Sequence, residues 1–319
     1  MHEADGLLPW TDWPAVCADD DAKVLLESAG YLELDNLGLL KVHGPDAASF
    51  LNGLLTADTK RQKPGSVTEA WALDATGKIL FHLHVARPET DTFYLSCAIS
   101  RMQDLTTHLD KYLVMEEAQL TPLPDLRCFS LQGPRAAGAG KDLPEGVRLD
   151  PVDRCGLGGF DLFVPQSDTA ICRTALEDAG IAPIGHDALH RVRLLHGVPL
   201  FGTDMAPQTH PLIYGKGGER ISYTKGCFLG QEPVARARDR GKPPKLLVSL
   251  HGADTDPPPV DMELLSADKV VGVVTSASPD PHGAGVRALA VVKHASARVG
   301  DGLVDTSGHL WEITQVSTY

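Results

Sequence analysis

The chain has 319 residues, 43% of them hydrophobic, so it is long enough to bury more than one core. Its formal net charge of −13 argues against non-specific binding of nucleic acid or of an anionic membrane by the chain as a whole. The six cysteines include no CxxC pair, which disfavours both a disulfide-stapled scaffold and a closed zinc or iron–sulfur site held by this chain alone. We therefore expect reduced thiols and no metal site.

The N-terminal segment, residues 1–22, is acidic and ends in three aspartates, which predicts a polar lead-in. It lacks the apolar centre of a secretory signal, and no run in the chain approaches the ~18 apolar residues of a membrane span. We expect a cytoplasmic protein that does not enter a membrane. Residues 23–240 are then expected to form the main body and residues 241–319 a C-terminal unit.

The first part of the body alternates between strand-like and helix-like patterns. Apolar residues recur at helical spacing in two segments, and a strong turn sequence, Asp74-Ala75-Thr76-Gly77, separates two β-rich runs. The predicted elements are a strand over 37–42, a helix over 46–55, a hairpin over 67–73 and 79–86, a strand over 92–97 and a helix over 100–113.

An approximate internal repeat follows. Residues 39–48 are echoed by residues 128–137, and both contain the pattern Gly-Pro-x-Ala-Ala. A second strand and helix, over 160–163 and 168–179, continue the echo. The repeat predicts two α+β halves of ferredoxin-like type with antiparallel or mixed sheets, whereas a chance match of a short pattern is the alternative.

The C-terminal part changes character. Residues 187–196 predict a helix that ends at Gly197, with Pro199 just beyond it. Residues 205–219 have no periodicity and are rich in Pro and Gly, which is typical of a functional loop. After residue 240, short β-rich runs separated by Asp, Pro and Gly predict a small barrel.

The stretch after that loop contains the cysteine of greatest interest. Residues 221–224 are β-branched and aromatic and predict a short strand, and Pro233 suits the first turn of a following helix. Cys227 would then lie in a strand-to-helix turn near Lys225, an environment that lowers a thiol pKa from ~8.5 toward ~7. Such a thiol is a candidate nucleophile or soft-metal ligand; a cysteine that only packs is the alternative.

Basic residues cluster in and after this stretch. Between residues 225 and 245, six basic residues stand against two acidic ones, Glu232 and Asp239. The cluster predicts a binding place for an anionic ligand, and a solvated helix face is the other interpretation. Its basic members are Lys225, Arg236, Arg238, Arg240, Lys242 and Lys245.

Two histidine pairs and one glycine cluster favour a structural role over a binding site. His186 and His190 are spaced i, i+4 on a predicted helix, but no glutamate base or third ligand lies nearby. His82 and His84 share one face of a predicted strand, and we expect ordinary surface or core histidines at both pairs. The glycine cluster 156–159 lacks the context of a dinucleotide site and predicts a hairpin turn.

Residues 225–232, KGCFLGQE, resemble the KGC(Y/F)xGQE signature of the YgfZ family of folate-binding proteins. These are relatives of the T-protein, the aminomethyltransferase of the glycine cleavage system. The resemblance covers residues 35–319, where weaker matches occur in the family's order. They are Gly44-x-Asp46, residues 50–53, Thr56-x-Asp58, Arg193-x-x-x-Gly197-Val198-Pro199 and residues 271–276.

The resemblance implies an α+β, T-protein-like architecture with three lobes around a central channel: two mixed α+β N-terminal lobes and a C-terminal β-barrel. It implies tetrahydrofolate or another reduced folate as ligand, and iron–sulfur client enzymes, such as radical-SAM tRNA-modifying proteins, as transient partners. Cys227 and Lys225 are the predicted reactive pair, and no direct nucleic-acid contact is expected. Together with the basic cluster, it gives the candidate cofactor-binding residues Gly226, Gly230, Gln231, Glu232, Arg236, Arg238, Asp58 and Asp104.

The chain also departs from its relatives. For the essential T-protein aspartate only Asp104 comes close, and the folate-gripping glutamate of a Tyr-Thr-Gly-Glu run has no match in residues 155–161. The loop 207–210 lacks the glutamate usual after Pro-Gln. These departures favour a tetrahydrofolate-binding accessory protein that supports iron–sulfur cluster assembly or repair through Cys227, rather than a classical enzyme. The alternative is a folate-dependent aminomethyl or one-carbon transferase.

Overall fold

The chain folds into two five-stranded sheets and one closed barrel, seen in a computed structural model that describes residues 20–138, 143, 147–215, 220–239, 243–253, 256–283 and 285–317. Most of the predicted lead-in, residues 1–22, lies outside the described residues, as do Arg240 and Lys242 of the basic cluster. Within the described residues, no helix is both long enough and apolar enough to cross a membrane.

In chain order, the elements are α1 (Asp20–Glu27), β1 (Gly30–Glu33), β2 (Leu37–His43), α2 (Ala47–Leu54), β3 (Ser66–Leu73), β4 (Ile79–Glu89), β5 (Thr92–Ala98), α3 (Met102–Asp110), β6 (Gln119–Pro122), β7 (Leu126–Gln132), β8 (Arg148–Pro151), β9 (Gly159–Pro165), α4 (Thr169–Asp178), β10 (Ala182–Pro183), α5 (His186–Leu195), α6 (Gln231–Asp239), β11 (Lys245–Gly252), β12 (Glu263–Ser266), β13 (Lys269–Pro279), β14 (Val286–Lys293), β15 (Gly302–Asp305) and β16 (Leu310–Val316).

The first sheet has the strand order β3-β4-β5-β2-β6 and is antiparallel throughout. Strand β4 shows why it forms: Phe81, Leu83 and Val85 alternate with partly exposed residues, as the two-residue period of a strand requires. The buried residues pack with α2 and α3 in one core. The opposite face therefore presents His82 and His84, away from that core.

The second sheet has the order β10-β1-β7-β9-β8 and is mixed, because β1 pairs with β10 in parallel and with β7 antiparallel. Strands β11 to β16 close into a six-stranded barrel in the order β11-β14-β13-β12-β15-β16. The predicted fold class, with mixed α+β units and a C-terminal barrel, is confirmed.

The two Gly-Pro patterns of the repeat occupy equivalent positions in the two sheets. Gly44 follows β2 with φ of 143°, and Gly133 follows β7 with φ of 121°. Each donates its N–H to the residue before the paired strand, Asp91 O or Gly158 O, at 3.0 Å. At both sites a side chain would collide with a neighbouring backbone, so glycine is required in each copy for the same reason.

The local predictions were largely right, with one clear exception. The strand over 37–42, the hairpin, the helices and the barrel strands all form close to their predicted bounds, and the glycine cluster 156–159 connects the antiparallel strands β8 and β9. Residues 221–224, however, do not form a strand. Their backbone bonds to an irregular segment instead, since Ser222 donates its N–H to Thr56 O at 2.9 Å.

A separate core cluster joins the first sheet, the barrel and residues 221–230, which we call the cysteine stretch. It combines Trp71 and Ile79 of the first sheet, Phe228 of the cysteine stretch, and Leu247 and Leu289 of the barrel. Because these residues are buried together, the stretch around Cys227 is packed where the first sheet, α6 and the barrel meet.

Candidate functional site: a central cavity and an exposed cysteine

A cavity of about 110 Å³ lies against the face of the first sheet that presents His82 and His84. Its opposite walls come from α5, the segment 198–201 and the β8–β9 connection at Asp153 and Arg154. A second cavity of about 280 Å³ adjoins it, because Glu69, His84 and Asp153 line both. Together they are far larger than the space one buried water needs.

Glu69 is the central charged group of this cavity. Its Oε2 accepts hydrogen bonds from His82 Nε2 at 3.2 Å and from Arg220 Nε. Burial by itself raises the pKa of Glu69. The hydrogen bond from His82 and the charge of Arg220 outweigh burial and hold the pKa well below its ordinary value. The carboxylate is therefore ionised at neutral pH.

His84 differs from Glu69 in its charge state. Burial and the nearby guanidinium of Arg154 lower the pKa of His84 to about 3. The imidazole is neutral at physiological pH, so either ring nitrogen can accept and the other can donate. Its Nε2 lies 3.9 Å from Glu69 Oε1, which is longer than a hydrogen bond.

The arginines around the cavity are held by carboxylates. Arg154 makes two hydrogen bonds to the buried Asp161, at 2.5 and 2.9 Å. Arg193 of α5 is buried and donates to Asp204 Oδ2 at 2.7 Å. These pairs neutralise the walls, so the cavity does not present a broad cationic surface.

Lys225 fixes the cysteine stretch to α2 and to the segment after it. Its ammonium is buried and donates to three carbonyl oxygens, those of Asn52, Leu55 and Ala57. Burial lowers the pKa of Lys225 to about 7, and the charge of Asp58 opposes this shift only in part. The three hydrogen bonds thus hold the last turn of α2 and the segment after it.

Two further contacts make the stretch rigid. Phe228 is buried in the central cluster. Gly230 has φ of 79° and packs so closely on the β3–β4 turn that an added Cβ would lie 2.5 Å from Asp74 O. Gly226, by contrast, does not adopt a positive φ, and a Cβ added there would meet no atom within 4 Å.

Cys227 is exposed on this anchored stretch, whereas the other four described cysteines are buried. Burial raises the pKa of Cys97 and Cys155 to about 12, that of Cys172 to about 11, and that of Cys128 well above its ordinary value. Among the cysteines that the structure describes, Cys227 alone is accessible to a partner. Cys17 lies outside the described residues.

The predicted cofactor-binding residues do not gather around the cavity; none of the eight lines it. Glu232 and Arg236 pair with each other at 2.8 Å on the exposed side of α6, and Arg238 contacts Asp239 and lies 4.4 Å from the Tyr223 ring. Asp104 is exposed on α3. The remaining ones fall elsewhere: Asp58 in the turn that precedes Arg61, and Gly226, Gly230 and Gln231 in or next to the cysteine stretch.

The cavity residues Glu69, Arg154 and Arg220 were missed by the sequence analysis, and His82 and His84 were interpreted as ordinary histidines. One signal was present. Glu69 occupies an otherwise apolar face of β3, between Val67 and Trp71, opposite a strand that carries both histidines. A carboxylate at such a position requires partners.

A solved structure resembles this fold closely. The glycine cleavage system aminomethyltransferase T from Bartonella henselae aligns with a TM-score of 0.83 over 93% of this chain and 88% of its own, at 23% sequence identity. The chain has the aminomethyltransferase fold. Residues 10–148 also match the family described as the GCVT N-terminal domain.

Relatives found by sequence similarity carry two different descriptions. The aminomethyltransferase of Streptomyces coelicolor is 28% identical over 85% of this chain and 80% of its own length. The human mitochondrial iron–sulfur cluster assembly factor IBA57 is 29% identical over 70% of this chain and 67% of its own length. Overall similarity therefore does not choose between the two activities.

Proposed function

We propose that the protein binds a reduced folate in the central cavity and supports the assembly or repair of iron–sulfur clusters in client enzymes, with Cys227 as its reactive centre. The observation that carries the proposal is the contrast among the described cysteines: one is exposed on a rigid stretch and four are buried. A thiolate suits iron and sulfur because it is a soft ligand and a good nucleophile. The similarity to human IBA57 supports the same reading.

The cavity is suited to a reduced folate. Leu37, Leu189 and Phe201 provide apolar walls for a flat ring, and ionised Glu69 provides a hydrogen-bond acceptor. Ser96 lines the cavity and makes no side-chain hydrogen bond with a described residue, so its hydroxyl is available to a ligand. A bound reduced folate would supply one-carbon chemistry, and these residues would bind and orient it.

The test is complementation of a deletion strain, scored by a cluster-dependent tRNA modification. We expect Cys227→Ala to fail, while Asp104→Ala rescues, because Asp104 lies on the exposed side of α3. Thr224→Ala, exposed in the same stretch, is the matched control and should rescue. Rescue by Cys227→Ala together with failure of Asp104→Ala would reverse the assignment.

A second candidate is folate-dependent aminomethyl transfer. It is favoured by the similarity to aminomethyltransferases over 85% of the chain and by the shared fold. In that case the purified protein would consume tetrahydrofolate in the presence of an aminomethyl donor, and Cys227→Ala would keep this turnover. Absence of turnover in protein that binds tetrahydrofolate would leave the accessory role.

A further inference from the structure

Three polar residues form a straight row across the cavity face of the first sheet. Glu69 of β3 is the direct register partner of His84 of β4, and His84 is the direct partner of Ser96 of β5. Direct partners on neighbouring antiparallel strands point to the same face, with Cβ atoms ~5 Å apart. All three residues line the cavity.

Each member of the row has unused hydrogen-bonding capacity. Both hydrogen bonds to Glu69 end on Oε2, so Oε1 accepts none from a described residue. The ring nitrogens of His84 and the hydroxyl of Ser96 likewise have no hydrogen-bond partner among the described residues, although Ser96 is 4% exposed. Unused donors and acceptors that converge on a cavity suit a polar ligand, so the row points to one.

The carboxylate on the opposite wall, Asp153, is partly used within its own turn. The Asp153 Oδ1 atom accepts three backbone N–H groups, from Cys155, Gly156 and Leu157. Leu157 itself packs against the core of the second sheet. Asp153 Oδ1 is therefore used within the β8–β9 connection, whereas Glu69 Oε1 accepts no hydrogen bond from a described residue.

We propose that the row Glu69, His84 and Ser96 recognises the amino-pyrimidinone ring of the bound reduced folate. This inference rests on the proposed folate binding. The ring edge carries N–H donors for Glu69 Oε1, while neutral His84 and Ser96 can each donate to or accept from the ring.

Charge decides which end of the folate the row selects. The carboxylates of the glutamate tail would be repelled by ionised Glu69, whereas the ring is neutral and rich in donors. The apolar side chains of Leu37, Leu189 and Phe201 flank the row and suit a flat heterocycle. The row therefore specifies the ring end and excludes the tail.

The experiment is anaerobic calorimetry on the full chain with three probes: tetrahydrofolate, the ring compound 6-methyltetrahydropterin, and the tail compound p-aminobenzoylglutamate. We expect Glu69→Gln to weaken the first two probes by at least about tenfold and Ser96→Ala by roughly two- to tenfold, with the tail compound unaffected. Ser278→Ala, a buried serine of the barrel, is the matched control and should bind as the wild type does.

The outcomes separate this inference from the proposed function. Normal tetrahydrofolate binding by both Glu69→Gln and Ser96→Ala overturns the row alone. Binding of the tail compound but not of the ring compound also overturns it. If calorimetry of the wild type with tetrahydrofolate shows no heat of binding, both the role of the row and the proposed folate binding are overturned. Ser96→Ala keeps the Glu69–Arg220 pair, so it tests the row even where Glu69→Gln impairs folding.

Discussion

The described cysteines differ most in their access to water. We expect limiting iodoacetamide to alkylate Cys227 first in the folded protein, because the other four described thiols are buried and their pKa values are raised. Peptide mapping by mass spectrometry would measure the order of labelling. Modification of Cys155 or Cys172 before Cys227 would contradict the assignment, and labelling in urea provides the unfolded reference.

His190 gives the native state a dependence on pH. It is buried, and burial together with Arg193 lowers the pKa of His190 to about 3. Below the ordinary histidine value of ~6.5 the unfolded chain binds a proton that the folded chain does not, so stability is lost as the pH falls from ~6.5 toward 3. The loss reaches about 2 kcal/mol at pH 5.

Urea unfolding at pH 7.5 and pH 5.0 measures this effect. We expect the wild type to lose more stability between the two values than His190→Asn, whose side chain does not titrate in this range. Parallel losses in the two proteins would show that His190 is protonated in the folded state.

At the residue scale, the sequence selected Cys227, which is exposed in the structure, and did not select the residues of the cavity. The cysteine is marked by an uninterrupted local signature, residues 225–232. The cavity row depends on the register of three strands, and Arg220 reaches Glu69 across 151 positions of the chain. Such long-range pairing is set by packing, which a local pattern does not encode.

The glycines of the cysteine stretch have different structural demands. Gly230→Ala places a Cβ against Asp74 O in a residue with φ of 79°, so we expect a loss of about 2 kcal/mol or more in the free energy of unfolding. Gly226→Ala is the matched control, because its Cβ would meet open space, and we expect a change within about 0.5 kcal/mol. Urea unfolding of both variants checks the contrast, and equal effects would refute it.

Elements were predicted well where a pattern was long and periodic. The hairpin of β3 and β4 follows from eight and eleven residues around a strong turn. Four of the five four-residue strands, β1, β6, β8 and β15, were not predicted, because so few positions rarely establish a period. Residues 221–224 have strand composition but lack a strand beside them, which shows that β propensity describes packing more than backbone preference.

The buried pair of Arg193 and Asp204 joins the barrel to the rest of the molecule. Asp204 accepts from Arg193 and also from Thr275 and Ser276 of β13, at 2.6 Å each. Asp204→Ala leaves the Arg193 guanidinium buried without its carboxylate, so we expect a loss of about 3–5 kcal/mol in unfolding free energy. Differential scanning calorimetry would measure it.

The control for this prediction is Asp239→Ala. Asp239 also pairs with an arginine, but on the exposed face of α6. Exposed pairs contribute little, so this variant should melt close to the wild type. A similar shift in both variants would mean that burial of the Arg193–Asp204 pair has no special weight.

At the scale of the molecule, the three-part architecture was foreseen and the meeting of its parts was not. The weak sequence matches at Arg193 and at residues 271–276 have a structural explanation, since Arg193, Ser276 and Asp204 form one buried network. Asp204 itself gave no signal in the sequence. Networks of this kind connect distant segments, and their members are recognisable only once the segments are placed.

The path of the chain through the second sheet has a consequence for synthesis. Strand β1 lies between β7 and β10, whereas all five strands of the first sheet lie between β1 and β7 in the sequence. At the rates of protein synthesis, β10 is made roughly ten to thirty seconds after β1. All five strands of the first sheet, with Glu69, His84 and Ser96, are thus translated before α5 and residues 198–201, which form part of the opposite wall of the cavity.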